Sequence, residues 1–124
     1  MSSSLQYGDI IWSRVRDRRG NAKERPCIII TPTELIRPDG ELLVMAITTT
    51  FPDPPPQWHV PLPWNPDPRK VGTRLAQRSA ALVNWLDMVR TTDVVRVMGS
   101  VPPKRMREIE RLQDELVERE READ

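Results

Sequence analysis

Apolar residues fall along this chain in short runs with two different periods. Residues 8–15 (GDIIWSRV) are apolar and β-branched and are entered through Gly-Asp, which predicts a first strand. Residues 26–31 (PCIIIT) form a continuous apolar run of strand length. Between them RDRRGNAKE is polar and contains Gly, so it reads as a flexible basic loop. Arg37-Pro38-Asp39-Gly40-Glu41 places Pro where φ must be fixed and Gly where φ can turn positive. That turn feeds a strand over residues 42–48 (LLVMAIT). Further short strands are expected over residues 57–62, 79–83, 88–91 and 97–101. Residues 52–68 hold eight of the 13 prolines, which excludes a helix there and confines any strand to a sheet edge or bulge.

After residue 102 the period changes. Pro102-Pro103 suits a helix start, and Met106, Ile109, Leu112, Leu116 and Val117 follow at near-3.6 spacing with charges between them. This predicts an amphipathic helix over about residues 103–121, packing one stripe on a core. No internal repeat is present. Several short strands, Pro-rich loops and one terminal helix predict a mainly β (α+β) domain, barrel-like and small.

The chain has 124 residues, the size of one domain. No stretch approaches the ~18 apolar residues of a membrane span, and MSSSLQYGD has neither the basic nor the apolar part of a signal peptide. A single cysteine, Cys27, excludes an internal disulfide and a Cys-based zinc site, and fits a reducing cytoplasm. The formal net charge is only +1, but it conceals segregation. Residues 14–25 carry six bases against Asp17 and Glu24, and residues 69–90 carry five against Asp87. Residues 38–68 have no Lys or Arg, and residues 104–124 sum to −2. Two basic segments can meet on one face and attract phosphates whatever the total charge.

Most catalytic sets are missing. His59 is the single histidine and cannot form a His–His metal pair. There is no Gly-rich phosphate loop and no G-x-S-x-G elbow. Cys27, inside an apolar run, reads as an inert small hydrophobe. Arg, Thr, Ser and aromatic residues remain. They suffice for phosphoryl chemistry on RNA, where the substrate supplies its own 2′-hydroxyl nucleophile.

GDIIW, a polar Gly-containing loop, RPCIIIT, LLVMAITT, WHVPL and RSAALVNWLDMVRTTD occur in that order. Together they resemble the MazF/PemK family, the toxins of type II toxin–antitoxin pairs, from Gly8 to about Met106. The resemblance implies an SH3-like β-barrel over about residues 8–101 with a C-terminal helix, in one domain spanning 1–124, and a homodimer. It implies an endoribonuclease that cuts single-stranded RNA without a metal or other cofactor. It also implies an acidic antitoxin that occupies the RNA groove.

Residue by residue, the Arg of the R-P motif is Arg25 and the Thr of the I-T motif is Thr48. The resemblance gives Arg25 proton transfer and the developing phosphorane charge, and gives Thr48 a non-bridging oxygen. A guanidinium is a poor general base but its fork matches phosphate geometry, so electrostatic stabilisation is the expected role of Arg25. Thr49 and Ser79 match positions that line the substrate groove. Arg18 and Arg19 lie on the loop that gates it, and Arg78, next to Ser79, belongs to the second basic segment. His59 opens WHVPL, where it stacks on a base, meets phosphate, or simply caps an edge strand. Trp12, Trp58, Trp64 and Trp85 read mainly as core or interface anchors.

The sequence departs from the family in three places. GNAKERP replaces a G-S-E-Q-like segment, Asn84-Trp85 stands where Asp-Gln is usual, and PWNPDPRKV lengthens the approach to Ser79. These departures leave open a non-catalytic SH3-like barrel, either a gyrase inhibitor of the CcdB type or a silenced relative that acts by binding protein. The proline run 52–56 also has the composition of an SH3 or WW ligand, although a loop between strands accounts for it.

Overall fold

Strand β1 (Asp9–Arg16) pairs antiparallel with β2 (Ala22–Ile29), and β2 with β3 (Glu41–Thr48). Strand β4 (His59–Leu62) pairs with β5 (Ser79–Arg90), which also joins β3, while β6 (Val94–Ser100) joins β1. The result is one six-stranded sheet in the order β4-β5-β3-β2-β1-β6, followed by helix α1 (Pro103–Ala123). This computed structural model describes residues 4–16 and 19–123. Among them no helix is long and apolar enough to cross a membrane.

The continuous apolar runs have a simple cause: the central strands are covered on both faces, so alternation is lost. One face sends Ile10, Ile28, Met45, Ile47 and Ala81 into a core closed by Met106 and Ile109 of α1. The other sends Ile11, Val15, Cys27, Ile29, Leu42 and Val44 into a second core with Val89. Strands β1 and β5 are separated by two strands, yet Arg16 N–H donates to Asp87 Oδ2 at 3.1 Å. The sheet is therefore rolled about its second core. Strands β4 and β6 remain edges, so the expected SH3-like barrel is an open, rolled sheet with the helix across one face.

Two element boundaries differ from the sequence reading. The expected strands over residues 79–83 and 88–91 are one 12-residue strand. Its ladder to β3 breaks between Met45 and Ile47, where Leu82 and Val83 instead bond β4 and the Trp58 carbonyl. Asn84 and Trp85 thus lie mid-strand, Asn84 exposed and Trp85 half-buried. The expected loop before Arg25 is also shorter, because residues 22–26 continue β2 as the second arm of a hairpin with β1.

Candidate functional site

Arg25 is the fourth residue of β2, half-buried, directly opposite Ser13 of β1. Thr48 is the last residue of β3, half-buried, directly opposite Ala80 of β5. The β2–β3 register runs Ile29↔Val44, Ile28↔Met45, Cys27↔Ala46. Extended two further steps, that register would bring Arg25 level with Thr48 and on the same face, since side chains repeat every second residue. The ladder itself stops beside Pro26, which has no N–H to donate. Beyond it no ladder bond ties the two strands at the level of Arg25 and Thr48.

Among the described residues none accepts a hydrogen bond or forms an ion pair with the Arg25 guanidinium. A partly desolvated cation without a partner is a ready ligand for an anion. The Thr48 hydroxyl sits in a local turn, accepting from Thr50 N–H at 3.1 Å and donating to the Thr50 carbonyl at 3.2 Å. To donate to a phosphate it need only rotate its proton away from that long bond.

The structure brings His59 to the same face. His59 and Pro61 project together from β4, and Pro61 shares Ala80 as a neighbour with Thr48. The His59 ring lies 5.9 Å from that of Phe51 at 40°, with Nδ1 3.2 Å from the Gln57 carbonyl. Thr49 follows Thr48 and is exposed. Arg19 is exposed beside Gly20, whose φ of +83° turns the β1–β2 hairpin. Arg18 lies outside the described residues.

Ser79 and Arg78 are placed differently. Ser79 opposes Leu62 on the α1-facing side, is buried, and donates its hydroxyl to the Gln77 carbonyl at 2.8 Å. Arg78 donates to the carbonyls of Phe51 at 2.6 Å and Pro52 at 3.1 Å. Its guanidinium also lies 3.7 Å above the Phe51 ring. Much of the second basic segment is engaged in the same way. Arg69 is held by Asp67 at 3.0 and 3.1 Å, and Arg74 donates to the Arg69 carbonyl at 2.8 Å. In the described residues the second basic segment therefore has Arg69, Arg74 and Arg78 bonded within the protein. Phe51, the single phenylalanine, is the residue the sequence reading overlooked, its only cue being its place between TTT and the proline run.

The architecture is a small, mainly β domain: one rolled six-stranded sheet with a single C-terminal helix. The family model described as PemK-like, MazF-like toxin of type II toxin–antitoxin system matches residues 6–116. The chain belongs to that family. Among solved structures, MazF (Form-I) from Deinococcus radiodurans superposes with a TM-score of 0.72 at 13% identity, covering 94% of this chain and 98% of that one. The Mycobacterium tuberculosis toxin MazF-mt6 gives 0.66 at 21% identity, covering 89% and 96%. An endoribonuclease in complex with its cognate antitoxin from a mycobacterial species gives 0.63 at 16% identity, covering 88% and 90%. At such identities the likeness is one of fold. A comparison with curated protein sequences gave no match.

Proposed function

We propose that the chain is a toxin that cuts single-stranded RNA, with Arg25 and Thr48 as its catalytic residues. The observation that carries this reading is a half-buried Arg25, without a partner among the described residues, on a strand whose register points towards the Thr48 end of β3 in a MazF-like chain. The 2′-hydroxyl of the substrate attacks the adjacent phosphorus while the bond to the 5′-oxygen breaks. The 2′-hydroxyl proton goes to solvent and another is gained by the departing oxygen, leaving a 2′,3′-cyclic phosphate and a 5′-hydroxyl. Arg25 stabilises the charge that builds on the phosphorane oxygens, and Thr48 donates to one of them. The reaction draws on no metal. Arg19 on the hairpin, Thr49 and His59 line the path of the strand, and Arg18 is a further RNA contact by the family resemblance.

The natural inhibitor in this reading is an antitoxin with an acidic segment, whose carboxylates take the place of phosphates beside Arg25. The active form is a homodimer, and the place of action is the cytoplasm. The test is cleavage of a mixed-sequence RNA in excess EDTA. Expected are cyclic-phosphate and 5′-hydroxyl ends, no cutting of a 2′-deoxy substrate, and a fall on the order of 10²–10³ for Arg25→Ala. Cleavage that stops in EDTA, or an Arg25→Ala variant as fast as the parent, would overturn it.

A further inference from the structure

Arg78 carries the charge expected of an RNA contact, but two of its donors bond the backbone of its own chain. We propose that Arg78 is a positioning residue for Thr48, a reading that rests on the nuclease function above. Four residues, Thr48-Thr49-Thr50-Phe51, link the end of β3 to the proline-rich segment. Strand β5 and the residue that precedes it hold this link at both ends. At one end Thr48 pairs with Ala80, two residues after Arg78. At the other, Arg78 grips the Phe51 and Pro52 carbonyls at 2.6 and 3.1 Å and stacks on the Phe51 ring at 3.7 Å.

The grip suits its purpose physically. Two charge-assisted bonds to successive carbonyls use the planar fork that only Arg possesses, and the ring beneath adds a cation–π contact. Phe51 also lies against the His59 ring, with centroids 5.9 Å apart, and is buried. Between the two anchors lies the Thr50 N–H that donates to Thr48 Oγ1. Arg78 thereby fixes the turn that aims the Thr48 hydroxyl. Releasing it lets the link, and with it the hydroxyl, drift by the ångström or so that is costly in an oriented reaction. Each terminal nitrogen of Arg78 gives one N–H to these carbonyls.

The test uses the full chain and a labelled single-stranded RNA at saturating and subsaturating concentrations. For Arg78→Ala the expected result is a fall in kcat of about 10–100-fold with KM changed less than about twofold. In a Thr48→Ala background the same substitution should cost less than about twofold, because the hydroxyl it positions is gone. Phe51→Leu, which keeps both carbonyls but removes the ring, should give a smaller loss of the same kind. Exchange of the Thr50 amide with solvent should quicken about tenfold in Arg78→Ala, while core amides keep their protection. An RNA contact predicts the opposite pattern: a raised KM, additive losses, and a salt slope shallower by about 0.7. That pattern, or unchanged Thr50 exchange, would overturn the proposal. Should the parent chain cut no RNA, the nuclease reading fails by itself, and Thr50 exchange still decides whether Arg78 holds the turn.

Discussion

Asp87 of β5 accepts the Arg16 N–H of β1 at 3.1 Å and lies 3.6 Å from its guanidinium, across a sheet in which β1 and β5 are not neighbours. This is the bond that records the rolling of the sheet. The same carboxylate accepts Met88 N–H at 2.8 Å. The Arg16 side chain is mostly exposed, so the ion pair itself contributes little, and the backbone donor is the part that matters. Asp87→Ala should therefore cost about 1–2 kcal/mol in urea unfolding, and Asp87→Asn less, because an amide oxygen still accepts. Equal stability of the Ala variant and the parent would show that rolling does not depend on this contact.

Cys27 is fully buried in the core beneath that contact. Burial, with the Asp87 charge second, pushes its thiol from an ordinary value of 9.0 up to about 12. The unfolded chain loses this proton near pH 9 while the folded chain keeps it. Stability is thus whole below pH 9 and declines from there to about pH 12, with a slope approaching about 1.4 kcal/mol per pH unit. The Tyr7 hydroxyl, raised by burial and by its bond to Glu110, adds to the decline above pH 10. Denaturant unfolding between pH 8.5 and 10 should show the loss in the parent and not in Cys27→Ala. Native protein should resist alkylation at Cys27 and unfolded protein should not.

Gly99 of β6 is where a loop is pressed against the sheet edge. A Cβ there would lie 2.2 Å from the Gly72 carbonyl oxygen and 2.7 Å from the Thr73 carbonyl carbon. Ser100 N–H bonds the same Gly72 oxygen at 3.1 Å, so the loop cannot retreat without losing that bond. Gly99→Ala should destabilise by about 1–3 kcal/mol through overpacking. Gly72→Ala, where a Cβ meets open space, should stay within about 0.5 kcal/mol. Thermal unfolding of the two variants side by side makes the comparison.

The fold was legible where burial leaves a mark on side-chain type. Ile28 and Met45 sit in runs too apolar for one-sided strands, and Met106 and Ile109 in a stripe with helical period, and each is where that pattern implies. The break came at Asn84, polar yet mid-strand, because the ladder of β5 with β3 skips from Ala81 to Leu86 while β3 moves only from Ile47 to Met45. Arg25 and Thr48 are proposed because the family motifs name them, and the register of their apolar neighbours runs towards both. The surroundings of Arg78 and Ser79 were not legible. Sequence shows that a side chain is charged or polar, but whether its donors face solvent or a carbonyl 27 residues earlier, as for Arg78 and Phe51, depends on tertiary contacts.

The two proposed catalytic residues should fail in different ways. Arg25→Lys keeps the charge but not the fork, so a single donor replaces two aimed at neighbouring phosphorane oxygens. Its single-turnover rate in EDTA should fall about tenfold, less than the 10²–10³ expected of Arg25→Ala. Thr48→Ser keeps the hydroxyl and the acceptor for Thr50 N–H, and loses only the stiffness of a β-branched side chain, so the loss should stay under about tenfold. Thr48→Val keeps the shape and the stiffness but removes the donor, and should cost on the order of 10². Both residues act on the same phosphoryl group, so the Arg25→Ala, Thr48→Val pair should lose less than the product of the single losses. A Thr48→Val variant as fast as the parent would remove Thr48 from the reaction, whatever Arg25 does.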